Sequence, residues 1–197
     1  MPHVRRALVT PLRIVLEPPQ VDASNRILRQ YAQHIDRFLR VSFVDEHFGP
    51  LYGAKSPRVL ERISSIVHNG LVVAGEKYVF LGYSNSQLRT HSCWFYCDPP
   101  RGTTGVPTAA SIYADVGQLD AIPSGSKRGA RLGQVFSSTT PTVRMRRYEW
   151  GRCPDITRNG HIFSDGIGAI SSYVAADMAD DLGLEYVPSA YQIRYAP

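Results

Sequence analysis

The chain has 197 residues, 43% apolar and 20% charged, the balance of an ordinary globular protein and not of a disordered one. No apolar run reaches the ~18 residues of a membrane helix, and Met-Pro-His-Val-Arg-Arg lacks a signal-peptide core, so an intracellular protein of cytoplasm or nucleus, without membrane contact, is expected. Three cysteines cannot make a disulfide framework, so a reducing compartment is expected, and the net charge of +5 says less than its distribution.

Ala7 to Leu16 reads as a strand interrupted by Pro11, with Pro18-Pro19 ending it. Asp22 and Ser24 are candidate N-caps for a scaffold helix in which Ile27, Leu28, Tyr31, Ile35, Phe38 and Leu39 recur at helical spacing. Val41 to Val44 alternates as a strand does. Ser56-Pro57 and Gly70 bracket a second helix, because proline at the first helical position gives up no bonded N–H and glycine suits the far end. Leu71 to Ala74 and Lys77 to Gly82 are expected strands, and mostly β structure is expected from there to Ile122.

His91-Ser-Cys-Trp-Phe-Tyr-Cys97, with Cys153, has the residue types of a zinc site. As a strand, however, it would hold the two cysteines ~13 Å apart, and buried structural thiols are the better reading. Arg101 to Pro107 is a glycine-containing loop without the Lys-Ser/Thr ending of a phosphate-binding loop. Ala109 to Gln118 suits a helix, and Ser124-Gly-Ser126 caps another over Lys127 to Phe136. The free N–H groups at that end, beside Lys127 and Arg128, suit a phosphate equally as well as plain solvent.

Charge concentrates next. Residues 127–158 hold Lys127, Arg128, Arg131, Arg144, Arg146, Arg147, Arg152 and Arg158 against only Glu149 and Asp155, a balance of +6. The arginine fork suits bidentate phosphate contacts and stacking on bases; a solvated basic face is the competing reading. Asn159-Gly160 and Asp165-Gly166 are two turn signals, and a hairpin is expected at the second, between Ile162-Phe163 and Ile167 to Ile170. Ser171-Ser172 caps a last helix whose buried stripe is Val174, Ala175, Met178, Ala179 and Leu182, with Asp177, Asp180 and Asp181 on a wet face. Tyr191 to Tyr195 is an expected strand. A division near Pro99 to Pro107 gives an α/β part, 1–100, and a β-rich part, 101–197.

Arg158-Asn-Gly-x-x-Phe-Ser-Asp-Gly-x-Gly-x-Ile-Ser171 resembles a signature of the cell-encoded RNA-dependent RNA polymerases of eukaryotic RNA silencing. Leu81-Gly-Tyr-Ser-Asn-Ser-Gln-Leu-Arg89 leading to Trp94-Phe-Tyr96, Lys127 through Ala130-Arg-Leu-Gly-Gln-Val-Phe-Ser137, and Pro188-Ser-Ala-Tyr-Gln-Ile-Arg194 match the same family in the same order. The resemblance implies an α+β, β-rich fold: an incomplete first double-psi β-barrel of the polymerase core, with crossing strands from about residue 110 onward, preceded by a helical segment. It implies RNA contacts from Lys127, Arg128, Arg131, Arg144, Arg146, Arg147, Arg158 and Arg194, and structural turns at Asn159, Gly160, Asp165 and Gly166.

Two-metal nucleotidyl transfer needs clustered carboxylates, and the family carries them in an Asp-x-Asp-Gly-Asp loop that this sequence does not contain. The resemblance therefore implies a piece of a polymerase without catalytic residues or a metal site, inactive alone. Magnesium would serve the complete enzyme, with an RNA template, nucleoside triphosphates and the missing polymerase half as partners. A stand-alone RNA-binding module and an unrelated β-rich interaction domain are the alternatives.

Overall fold

A computed structural model describes residues 1–51, 56–164 and 166–193. The chain divides into two compact units, Met1–Thr139 and Thr140–Pro197. This division does not coincide with the one expected near residue 100, because two helices after that point complete the core of the first unit.

The first unit is built on one six-stranded sheet. Its strands are β1 (His3–Val9), β2 (Ile14–Val21), β3 (Phe38–Phe43), β4 (Leu71–Val73), β5 (Glu76–Gly82) and β6 (Ser92–Cys97), in the order β2-β1-β3-β6-β5-β4. Neighbours are antiparallel except β1 and β3, which run parallel.

Pro18-Pro19 does not end a strand but lies inside β2. The pairing steps from Arg6 opposite Glu17 to Val4 opposite Gln20, so the irregularity takes up both prolines. Because β2 is an edge strand, their missing N–H groups cost little.

The expected helix through Leu39 is shorter than its spacing suggested. Helix α1 (Arg26–Gln30) is capped by Asn25, not by Asp22 or Ser24: the Leu28 N–H donates to Asn25 Oδ1 at 3.0 Å. A 3-10 segment, Ala32–Arg37, follows with a kink at His34. Phe38 and Leu39 already belong to β3, where alternate side chains enter opposite cores. Central pairing with β1 and β6 outweighs the local helical pattern there.

Helix α2 (Pro57–Asn69) runs as expected from Pro57 to the cap at Gly70. Gly70 has φ +80°, and a Cβ there would sit 2.4 Å from Tyr78 O, so glycine is required. Helix α3 (Asn85–Arg89) interrupts what was expected to be mostly β structure, while helix α4 (Ala109–Val116) forms where a helix over Ala109 to Gln118 was expected. Reciprocal caps explain both: Ser84 with Gln87, and Thr108 with Ser111, satisfy the first-turn amides locally.

The sheet buries both faces, and β6 is buried along its whole length. One core holds Leu39, Val41, Phe43, Cys93 and Phe95 with Ile66 of α2. The other holds Val4, Phe38, Trp94 and Tyr96 beneath α1, α4 and helix α5 (Gly125–Val135), through Ile27, Leu28, Ile112, Val135 and Phe136.

Two glycines let α5 sit close. A Cβ at Gly82 would meet Phe136 Cε2 at 2.4 Å, and one at Gly133 would meet Tyr83 O at 2.7 Å. The Tyr83 oxygen is backbone and cannot swing aside. Gly133→Ala is therefore expected to lower stability by about 1–3 kcal/mol, read as a lower urea midpoint; an unchanged midpoint would show that α5 has room to shift.

The crossing strands expected from about residue 110 onward, across the end of the first unit and all of the second, are absent among the described residues. That half of the chain holds α4, α5, a two-stranded hairpin of β7 (Thr157–Arg158) with β8 (His161–Ile162), and helix α6 (Ser172–Asp181). Most side chains between the helices are exposed, so no strand face there is buried within the chain. The hairpin turns at Asn159-Gly160, with φ of 50° and 77°. Ile162 pairs back to Thr157, and Ile167 to Ile170 form no strand. Asp165 lies outside the described residues, while Gly166 keeps a positive φ of 66°. Helix α6 buries Ala175, Met178 and Ala179 and ends at Gly183, largely as expected. Tyr191 to Ile193 are not strand, and Arg194 and Tyr195 lie outside the described residues.

Candidate nucleic-acid interface

The basic residues singled out in the sequence fall on both units, and each set has its own local frame. Lys127, Arg128 and Arg131 ride on α5, whose first turn is closed by Ser124 accepting from the Lys127 N–H. Arg128 is committed structurally: its guanidinium lies 3.5 Å from Asp120 and donates to Ile122 O at 3.1 Å. Lys127 and Arg131 are exposed, and Arg131 reaches only Gln134 at 3.5 Å.

In the second unit, Arg144, Arg146, Arg147 and Arg158 are all exposed. None of the four forms an ion pair with a described residue. A 3-10 turn, Arg147–Glu149, organises Arg146 and Arg147, held by Glu149 accepting from the Arg146 N–H at 2.6 Å. The Arg146 guanidinium lies 5.9 Å from the centre of the Tyr148 ring and donates to its hydroxyl at 2.6 Å. Arg158 enters the hairpin one residue before its turn. Arg194 lies outside the described residues.

Two aromatic residues that the charge pattern did not single out complete this surface. Tyr148 is 75% exposed and Trp150 41%, interleaved with Arg146, Arg147 and Arg152. Exposed rings among arginines are what a single-stranded nucleic acid needs, since bases stack on the rings and phosphates meet the cations. The signal was available in Arg144-Met-Arg-Arg-Tyr-Glu-Trp150, in the alternation of arginine with aromatic residues.

Two arginines of the first unit, Arg29 and Arg40, are differently engaged. Arg40 is stacked 5.0 Å over Trp94, lies 3.8 Å from Asp22 and donates to Ser92 Oγ at 2.9 Å. Arg29 donates to Thr139 O at 2.5 Å and to Thr139 Oγ1 at 2.9 Å. Both are structural.

Cys93 and Cys97 lie buried on one face of β6, and Cys153 is exposed. Burial pushes the Cys93 thiol up from its ordinary 9.0 to about 12. The folded state thus holds that proton where the unfolded chain releases it. The stability is fully present below pH 9 and is lost as pH rises toward 12. We expect denaturant midpoints to fall between pH 9 and 11, with this thiol contributing a loss on the order of 1 kcal/mol per pH unit. Cys93→Ala should flatten that part of the slope, and an identical slope in the variant would assign the loss elsewhere.

Among the described residues no group of three His, Cys, Asp or Glu side chains could hold a metal ion. The described residues therefore do not fit the two-metal centre of a nucleotidyl transferase, and no catalytic step is assigned to them. No helix among them is long and apolar enough to cross a membrane.

A family model described as RNA dependent RNA polymerase matches residues 9–197. The chain belongs to the RNA-dependent RNA polymerase family. RNA-dependent RNA polymerase 1 of Arabidopsis thaliana is 41% identical over 98% of this chain, which spans 18% of that relative's length. RNA-dependent RNA polymerase 6 of the same plant is 36% identical over 98% of the chain, again spanning 18% of the relative. The solved RNA dependent RNA polymerase QDE-1 from Thielavia terrestris superposes on 95% of the chain with a TM-score of 0.70 at 21% identity, using 22% of its own length. The fold is thus α+β and forms part of the double-psi β-barrel core of the RNA-dependent RNA polymerase family.

Proposed function

We propose that this chain is the RNA-facing scaffold of an RNA-directed RNA polymerase of RNA silencing, which makes double-stranded RNA by template-directed nucleotidyl transfer. The observation that carries the proposal is the exposed segment from Arg144 to Arg158, with its arginines outside any ion pair among described residues and Tyr148 and Trp150 beside them. Lys127 and Arg131 on α5 belong to the same RNA-contacting set, as do Arg128 and Arg194 by family resemblance. The metal-binding aspartates, with magnesium, belong to the rest of the polymerase, as does the nucleoside triphosphate chemistry. The setting is intracellular, in cytoplasm or nucleus.

The second unit supports the same reading. Phe163, Ile167, Tyr186 and Val187 are all more than half exposed, more apolar surface than so small a unit leaves bare when complete. The remainder of the polymerase is the partner that would cover it.

The test is filter binding of single-stranded RNA to the isolated chain across a salt series. Binding should be weak and indifferent to sequence, with affinity falling steeply as salt rises and with no RNA product made. Affinity independent of salt would overturn the proposal.

A further inference from the structure

A cavity of about 360 Å³ opens on the first unit between α2 and the sheet. Phe43, Phe80 and Cys93 form its floor, Ile63 of α2 one wall, and Leu60 and Leu88 its rim. The two leucines are 54% and 53% exposed, so the apolar lining continues onto the surface. Helix α2 is strongly one-sided, yet it buries only Ile66 fully.

The chemistry of the lining selects the occupant. Among the described residues no lysine or arginine lines the cavity, so none of them neutralises a phosphate there and RNA is a poor fit. Small-molecule pockets of this size carry a few placed polar groups that orient the ligand. Here the Ser92 hydroxyl is already bonded to Arg40, Thr90 and Gln87, so among the described lining side chains only the His91 ring and the Tyr83 hydroxyl remain to orient a ligand against an otherwise apolar wall. An apolar protein surface needs no such groups. The relatives supply one in quantity, since this chain matches only 18% of the length of the Arabidopsis polymerases.

We infer that this cavity receives apolar side chains from another part of the polymerase polypeptide, docking that part against α2 and the end of β6. The inference rests on the polymerase reading given above but concerns a surface remote in sequence from the arginine segment.

The test compares Leu60→Glu in two settings: the isolated chain, and a polymerase in which this chain replaces the matching region of the Arabidopsis relative that is 41% identical. Leu60 is exposed in the isolated chain, so its melting temperature should move by less than about 2 °C. In the longer polypeptide the same substitution should lower it by several times that shift. Hydrogen exchange gives a second readout: amides of α2 should exchange about tenfold more slowly in the longer polypeptide, and Leu60→Glu should remove that protection. Val72→Glu, at an exposed position on β4, should have no effect on either readout. Equal effects of Leu60→Glu in both settings, or α2 exchange unchanged by the longer chain, would overturn the inference. So would self-association of the isolated chain abolished by Leu60→Glu, or a small apolar compound copurifying in the cavity. RNA binding by the isolated chain should be the same with and without Leu60→Glu, so a failure of the RNA reading would show separately.

Discussion

Replacing Arg144, Arg146 and Arg147 together by serine is expected to flatten the salt dependence of RNA binding and to lower affinity by an order of magnitude or more at low salt. Each phosphate neutralised on a single strand contributes roughly −0.7 to the logarithmic slope. If about four cations of the segment meet the backbone, the wild-type slope is near −3, and removing three of them should leave it near −1. The three arginines are exposed and outside any described ion pair, so their loss should leave the fold intact. Tyr148→Ala should weaken binding while leaving the slope unchanged, because stacking releases no counterions. The control is Arg26, Arg29 and Arg40 on the first unit: Arg29 and Arg40 are held by Thr139, Trp94, Asp22 and Ser92. A triple serine variant there should change the slope little, although it should cost stability. Equal flattening by both sets would mean that net charge, and not the arginine segment, drives binding.

Phe136→Ala is expected to have the largest effect on stability, about 3–5 kcal/mol. The ring is 1% exposed and fills the space that Gly82 leaves open on β5. Its backbone oxygen accepts from Gln87 Nε2 at 3.2 Å, which ties the end of α5 to the capping box of α3. Removing the ring leaves a cavity at the junction of α5, β5 and β6, and Gly82 has no side chain with which to fill it. Urea unfolding should show a much lower midpoint. A loss below about 1 kcal/mol would mean that α5 collapses onto the sheet without the ring.

The parts of the fold legible in the sequence are those determined locally. Helix α2 is bounded by Pro57 and Gly70, and α5 by Ser124, each signal acting within one turn. The misreadings arise where distant pairing decides. Phe38 and Leu39 fit a helical stripe, but they lie in β3 between β1 and β6. Pro18-Pro19 looked like a stop, although an edge strand with a shifted register accommodates both. Of two similar turn signals, Asn159-Gly160 closes the hairpin because the flanking pairs Thr157 with Ile162 and Arg158 with His161 form there. For the interface, the cluster of arginines was plain from charge alone, and the engagement of Arg128 by Asp120 and Ile122 was not, since it depends on α5 lying beside the preceding turn. Tyr148 and Trp150 were overlooked because a count of charges does not register rings.

The position of β3 also bears on how the chain reaches this fold. Hairpins β1–β2 and β4–β5 join neighbours in sequence and can form early. The central strand cannot. It pairs in parallel with β1, Ala7 against Val41, and antiparallel with β6, Phe38 against Tyr96. Both partners must be brought in across long loops, and the entropy of closing those loops is lost before any pairing compensates for it. The assembly of β3 is therefore the slow event, placing folding in the millisecond-to-second range of sheets dominated by non-local contacts. Until it happens, Leu39, Val41, Trp94 and Phe95 have no core to enter, and during synthesis that interval lasts at least until β6 has emerged.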